Sequence, residues 1–456
     1  MDLDPLRHAS RTEQYAAGKA ARSRLPRRRL AELELSSGRD PIRLLREQNQ
    51  GRLRALVPLR RERMSESPFA FYRGAAAVMA ADLASGPSSD HHIWVCGDAH
   101  LANFGVFASR DRDLLFELND FDEAAVGPWE WDLKRLLASV TILGQELGLG
   151  PGQAHDATVR ASLGYRTGLS RRVAMSTLER YFDRILADDV VDLTHGFSRK
   201  LGRQAAQVTD KARRNNSHRA LTKLDVTEVN GRYRINDQPP VIMRIPELDT
   251  TVAQRLVDDY LATVGEDVAT LLTSHRLHDW VLRVVGVGSV GTRCVVVLLT
   301  DADGVPLVLQ LKEATSSVLE RWTTPVPGHH GKRVVGGQRI LQSSGDPFLG
   351  WFDDELGSFY VRQFRDMKGS VNLLTLDAQS LGMYGFTCGT ALARAHAQSG
   401  TPAVILGHLG ASVDVPQKVD HRLADFAAAY AEVNRADHAL LLAATEDGWL
   451  GTAPTR

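Results

Sequence analysis

Residues 280–314, WVLRVVGVGSVGTRCVVVLLTDADGVPLVLQLKEA, constrain the fold more than any other stretch. Three apolar, β-branched runs are separated by a glycine-rich turn and by the turn Asp301-Ala302-Asp303-Gly304. Neither gap leaves room for a helical crossover, so the runs must pair as an antiparallel meander. Gly286-Val287-Gly288-Ser289-Val290-Gly291 has GxGxxG spacing. In a dinucleotide-binding turn that spacing opens a helix, whereas residues 292–299 are strand-like, so the context argues against that reading. A glycine loop between antiparallel strands suits a phosphate cover, because missing Cβ atoms let backbone N–H groups approach the phosphates. Lys312 follows on the third strand, in LVLQLKEA. A lysine among leucines on a central strand must find an anion or bear the cost of desolvation.

A second stretch, VCGDAHLANFGVFASRDRDLLFELNDFDEA at 95–124, carries the other concentration of chemistry. Two short apolar runs end in carboxylates and an amide, which places Asp98, Asn103 and Asp120 at one edge. Such oxygen ligands suit a hard cation, Mg²⁺, with one carboxylate left as a base. Asp98 to Asn103 is D-x-x-x-x-N, the spacing of a kinase catalytic loop, in which Asp is the base and Asn a metal ligand. Asp120 stands where the metal-binding Asp belongs, and Asp132 where a helix-opening Asp braces the catalytic loop. Asp122 is read as a further metal ligand, and Asp122 with Glu123 as holding a second metal or attracting a cationic substrate. His100 is read either as a substrate contact or as a hydrogen-bonded loop residue. Arg73, in FYRG, is within reach of the carboxylates, a phosphate or a structural ion pair.

Around these stretches the periodicity is mostly helical. SPFAFYRGAAAVMAADLA places Phe69, Tyr72, Ala76, Met79, Ala80 and Leu83 in phase, with Ser67 as N-cap and Pro68 in the first turn. Helices are expected from Asp132 to about 147, onward through about 225, over 251–274, across HGKRVVGGQRILQSS, and in two C-terminal stretches, FTCGTALARAHAQSG and HRLADFAAAYAEVNRADHALLLAA. VTEVNGRYRIND reads as a hairpin about Asn230-Gly231, and FYVRQFRDMKGS as a strand leaving toward a loop. This gives a basic arm at 1–40, a helical lobe with the catalytic and metal loops at 41–240, an antiparallel β nucleotide lobe at 241–370, and C-terminal helices at 371–456 that complete the helical lobe. Lys+Arg and Asp+Glu both total 55, which gives no argument for nucleic acid or an anionic membrane as partner. Cys96, Cys294 and Cys388 show neither disulfide nor zinc spacing. With no export signal and no apolar run of spanning length, a cytoplasmic protein is expected.

CGDAHLANFG, NDFDEA and WEWDL resemble the HGDxxxxN, IDFEDA and YDLA motifs of the aminoglycoside and choline phosphotransferase branch of the protein-kinase-like fold. The chain from about 40 to 441 also resembles the bacterial domain of unknown function 2252 family, through SPFAFYRGAA, CGDAHLANFG, NDFDEA and GPWEWDLKRL. The kinase resemblance implies an α+β two-lobe fold and transfer of phosphate from ATP with Mg²⁺ to an unidentified, small-molecule acceptor. Asp98 and Lys312 would be catalytic. Gly286, Gly288, Ser289, Gly291 and Lys312 would hold the nucleotide, with Asn103, Asp120 and Asp122 on metal. The glycine loop and Lys312 follow the catalytic loop here, the reverse of the usual order, so a circular permutation is implied. The template's His before Gly-Asp is Cys96. For the acid that orients Lys312, Glu320 is the candidate and Gln338 a neutral substitute. The rivals are a nucleotide-binding pseudokinase or scaffold, and a metallophosphoesterase, which would need further motifs that the chain lacks. One nucleotide must touch both Lys312 and Asp120, so a separation above about 15 Å would end the permuted-kinase reading.

Overall fold

The computed structural model describes residues 5–197, 199–214, 221–222, 224–244, 250–284, 286–355, 357–364, 367–411, 415–445 and 449. The fold is α+β, mainly helical, with small antiparallel sheets. The strands are β1 (His92–Val95), β2 (Phe104–Ala108), β3 (Leu114–Leu118), β4 (Ala125–Pro128), β5 (Val226–Val229), β6 (Arg232–Ile235), β7 (Ile242–Met243), β8 (Arg276–Arg283), β9 (Cys294–Thr300), β10 (Pro306–Ala314), β11 (Gly350–Asp354) and β12 (Gly357–Gln363). The last six form one sheet in the order β11-β12-β10-β9-β8-β7. The meander β8-β9-β10 follows directly from its two turns, and β12 inserts beside β10 after the helix His330–Leu341.

Alternation sorts this sheet into two faces. Val295, Val297, Leu309 and Leu311 pack with Phe352 and Val361 beneath the helices Thr250–Leu261 and Glu266–Thr273. Val296, Leu298 and Val308 face the other way with Ile235 and Phe364. Gln310 and Lys312 share that second face, opposite Arg362 and Tyr360 of β12.

The helical part is built on Trp129–Glu146, Pro151–Ala174, Ala378–Gln398 and Lys418–Ala443, which bury Leu133, Leu137, Tyr165, Leu392 and Phe426 in one core. Pro151–Ala174 and Ala378–Gln398 touch backbone to backbone. A Cβ on Gly164 would lie 2.2 Å from the Phe386 carbonyl oxygen, and one on Gly389 2.2 Å from that of Ala161. Two ribbons, β1 with β4 and β2 with β3, stand on this layer and set the ends of the loops between them.

Local differences from the sequence expectation have local causes. The helix begun by Ser67, whose Oγ accepts from Ala70 N at 3.1 Å, ends at Gly74 and restarts at Ala76. Gly74 lies so close to Met64 that a Cβ would meet its sulfur at 2.7 Å. The span 251–274 is two helices, the second opened by Gly265. The helix expected from Asp132 starts at Trp129. The basic stretch near the N-terminus is packed, not a solvated arm: Leu25 and Leu30 are buried, and Arg22 and Arg27 donate to the His408 carbonyl at 3.0 and 2.8 Å. Asn230 and Gly231 both take positive φ and close the β5–β6 hairpin. Of KARRNNSHRALTK, residues 215–220 and 223 lie outside the described residues, as do residues 365–366 of FYVRQFRDMKGS.

The close helix approach generates a stability test. Gly389→Ala is expected to lower unfolding stability by about 1–3 kcal/mol, as overpacking does. A denaturant midpoint unchanged from wild type would contradict the contact.

Candidate active site

The loop 96–103 leaves β1 beside the loop 119–124 that leaves β3. Asn119 N donates to Asn103 O at 2.9 Å, and a Cβ on Gly97 (φ 80°) would lie 2.1 Å from Glu123 O. Glycine is required there both by the conformation and by the contact. Asp132, in the first turn of the helix Trp129–Glu146, braces the first loop by accepting from Cys96 N at 2.6 Å and Gly97 N at 2.9 Å. His396 supports Asp132 from behind, with Nε2 3.2 Å from Oδ2, and Tyr165 OH lies 2.7 Å from His396 Nδ1. Cys96 is buried, with Sγ 3.2 Å from the Asp120 carbonyl oxygen.

These loops and the sheet enclose one cavity of about 800 Å³, lined among others by Asp98, Asn103, Asp120, Asp122, Gly286 and Gly288. Lys312 brings the two halves together. Its Nζ forms an ion pair with Asp122 and lies 3.5 Å from Asp120 Oδ1. Tyr360 OH donates to Asp122 at 2.7 Å and Ser289 Oγ at 3.3 Å, so the glycine loop also reaches this carboxylate. Burial works against charge on Lys312, but Asp120 and Asp122 outweigh it and hold its pKa above the ordinary value. Burial would raise Asp122, yet Lys312 and Tyr360 keep it below the usual range. Asp120 shifts the other way, upward, through partial desolvation and the charge of Asp122.

The acid beside Lys312 is therefore Asp122. Glu320 accepts from Ser317 N at 3.0 Å and Val326 N at 2.9 Å, and Gln338 donates to Gln342 at 2.9 Å. On the same helix as Gln338, Arg333 donates to the carbonyls of Asp122, Ala124 and Thr315 and fixes the backbone of the loop 119–124 instead. Glu123 accepts from Val318 N at 2.7 Å, and burial pushes its pKa up to about 7. Asp98 Oδ1 accepts from Arg135 Nε at 2.8 Å and lies 2.7 Å from Nη2 in the same ion pair, while Nη2 donates to the Tyr72 carbonyl at 2.8 Å. His100 lies with Nε2 3.7 Å from Asp98 Oδ2, and burial lowers its pKa to about 4, so it is neutral near pH 7.

Among the described residues no group of three or more His, Cys, Asp or Glu is placed to hold a metal ion. A nucleotide-bound Mg²⁺ asks for less, since it keeps waters and phosphate oxygens and takes only one or two protein ligands. The Asn103 amide nitrogen is committed to the carbonyls of Asp98 and Asp120, at 3.1 and 3.0 Å, which leaves Oδ1 as the atom open to a cation. The Asp120 side chain is 43% exposed. That pair fits the ion, whereas Asp122 is occupied by Lys312.

Sequence reasoning missed Arg135, Arg333, Tyr360 and Arg362. Arg362 donates to Gln310 Oε1 at 2.9 Å and to Asn119 O at 3.3 Å. A signal was present for two of them, because Tyr360 and Arg362 alternate along FYVRQ and so share a face.

These features define the class: an α+β protein with an acid-lined cavity between a helical layer and a six-stranded antiparallel sheet. The family model described as uncharacterized protein conserved in bacteria (DUF2252) matches residues 52–444, and the chain belongs to that family. No curated protein and no solved structure matches the chain. No helix among the described residues is long and apolar enough to cross a membrane.

Glu123 yields a pH prediction. Its carboxyl titrates near 4.5 when unfolded and near 7 when folded, so its contribution is complete below pH 4.5 and lost as pH rises to about 7. Melting curves of wild type and Glu123→Gln should diverge over that window, the variant gaining about 3 kcal/mol relative to wild type at pH 7.5. A difference independent of pH would contradict a buried, protonated Glu123.

Proposed function

We propose that the protein is an ATP- and Mg²⁺-dependent phosphotransferase with a permuted, kinase-type arrangement, acting on a small-molecule acceptor. The observation that carries this reading is the position of Lys312, 3.5 Å from Asp120 across 192 residues of chain and paired with Asp122, both carboxylates lining the cavity that the glycine loop borders. The order of elements supports it too. Strand, glycine loop, strand, lysine strand, helix, and then two strands with the last beside the lysine strand follow one another as in a kinase nucleotide lobe.

In this reading Lys312 and the loop N–H groups bind phosphate oxygens. Asn103 and Asp120 hold Mg²⁺, which supplies neutralising charge to the β- and γ-phosphates. Asp98, steadied by Arg135, takes the proton of an acceptor hydroxyl or amine. Nucleotide binding without transfer is the second reading. Two observations favour it: Arg333 lies on the helix from which kinases supply the orienting acid, and the Asp98 carboxylate is tied to Arg135.

ATP–Mg²⁺ should raise the melting temperature of wild type, about 2.7 kcal/mol of stabilisation at a hundred times Kd. Lys312→Ala and Asp120→Ala should lose most of that increment relative to their own unliganded baselines, and ATP turnover should fall at least about a hundredfold. No shift in wild type rejects the nucleotide site. A shift without turnover across a panel of hydroxyl and amine acceptors selects the second reading.

A further inference from the structure

We infer that Arg73 is the cation that meets the transferring γ-phosphoryl group, a role that rests on the phosphotransferase reading and adds a catalytic residue to it. Arg73 lies in the last turn of the helix Pro68–Gly74 and lines the same cavity as Asp98, Asn103 and Asp120. Its backbone touches the glycine loop, since a Cβ on Gly288 would come 3.3 Å from the Arg73 carbonyl oxygen. The side chain thus stands where the loop and the proposed base converge, on the helical side of the cavity, opposite the sheet that carries Lys312.

The cations of the site differ in one respect. Lys312 is paired with Asp122, Arg135 with Asp98, and Arg362 is bound to Gln310 and Asn119. The Arg73 side chain forms neither an ion pair nor a hydrogen bond among the described residues, and its Nε is buried without a partner. Asp98, the cavity carboxylate whose charge acts on Arg73, is already ion-paired and hydrogen-bonded to Arg135. A guanidinium drawn out of water without an anion is costly, and its planar fork matches a group with several anionic oxygens. Arg52 lines the same cavity and its Nε too is buried without a partner, but its Nη1 donates to the Val290 carbonyl and so supports the loop.

The step balances as follows. The acceptor oxygen or nitrogen forms a bond to Pγ, and the bond from Pγ to the β–γ bridging oxygen breaks. Its electron pair leaves on ADP, and the acceptor proton passes to Asp98. Charge on the three non-bridging γ-oxygens meets Arg73 from the helical side while Lys312 acts from the sheet.

The test uses the full chain with MgADP, then MgADP plus aluminium fluoride as a mimic of the transferring group, followed by melting and by titration. Aluminium fluoride should tighten MgADP binding by wild type at least about tenfold. Arg73→Gln should bind MgADP within about twofold of wild type but lose the fluoride-dependent gain, and Arg73→Lys should recover part of it. ATP turnover should fall about a hundredfold or more in Arg73→Gln with little change in KM, as expected when an arginine that meets a transferring phosphoryl is removed. Retention of the fluoride gain in Arg73→Gln, or its absence in wild type that binds MgADP, overturns the assignment and leaves the nucleotide site standing. Wild type that binds no MgADP overturns both.

Discussion

The ion pair between Lys312 and Asp122 is the constraint on which the cavity depends. Lys312 belongs to the sheet and Asp122 to a loop of the helical layer, and burial works against the charge of each while the other favours it. A charge pair taken out of water is stable only when its remaining donors and acceptors are satisfied. Here Tyr360 and Ser289 serve the carboxylate, while Arg333 holds the backbone that carries it. The pair therefore fixes the sheet against the loops. The spacing of the two layers is set through one ammonium group.

The second join is apolar. Val287 and Val290 of the glycine loop are buried, Val287 with Leu45, Val57 and Phe71, and Val290 with Leu56 and Leu282. Leu53 N donates to Gly291 O at 2.7 Å, and Arg63 donates to Gly286 O. A loop whose missing Cβ atoms serve close approach is thus anchored from outside by its own valines. Local opening free energy follows how many apolar contacts must be broken, so lifting this loop would cost the contacts of both valines.

What could be read from the chain divides along a physical line. Features carried by short-range pattern were legible: the meander from its turns, the hairpin from Asn230-Gly231, the brace at Asp132 from its place at a helix start. What depends on packing between distant segments was not. Lys312 needed an acid, but neighbours in sequence offered Glu320, which caps its own turn, while the true partner lies on a loop 190 residues earlier. The basic N-terminal stretch reads as solvated because arginine is usually exposed. It is packed because Leu25 and Leu30 pull it down and backbone carbonyls such as that of His408 receive its guanidinium groups.

The order of segments along the chain matters less to this site than which side chains stand behind the loops. In the pattern that CGD resembles, a histidine precedes Gly-Asp, and here that position is Cys96, too short to reach far. The Asp120 carbonyl receives both the Cys96 thiol and the Asn103 amide. The imidazole that backs the loop comes instead from His396, on a helix almost three hundred residues later, and it acts through Asp132. A loop held by Asp132 at two backbone N–H groups keeps its shape whichever segment supplies the second support. That is how segments far apart in the chain bring Asp98, Asn103 and Asp120 to one cavity, with Lys312 paired to Asp122, which also lines it.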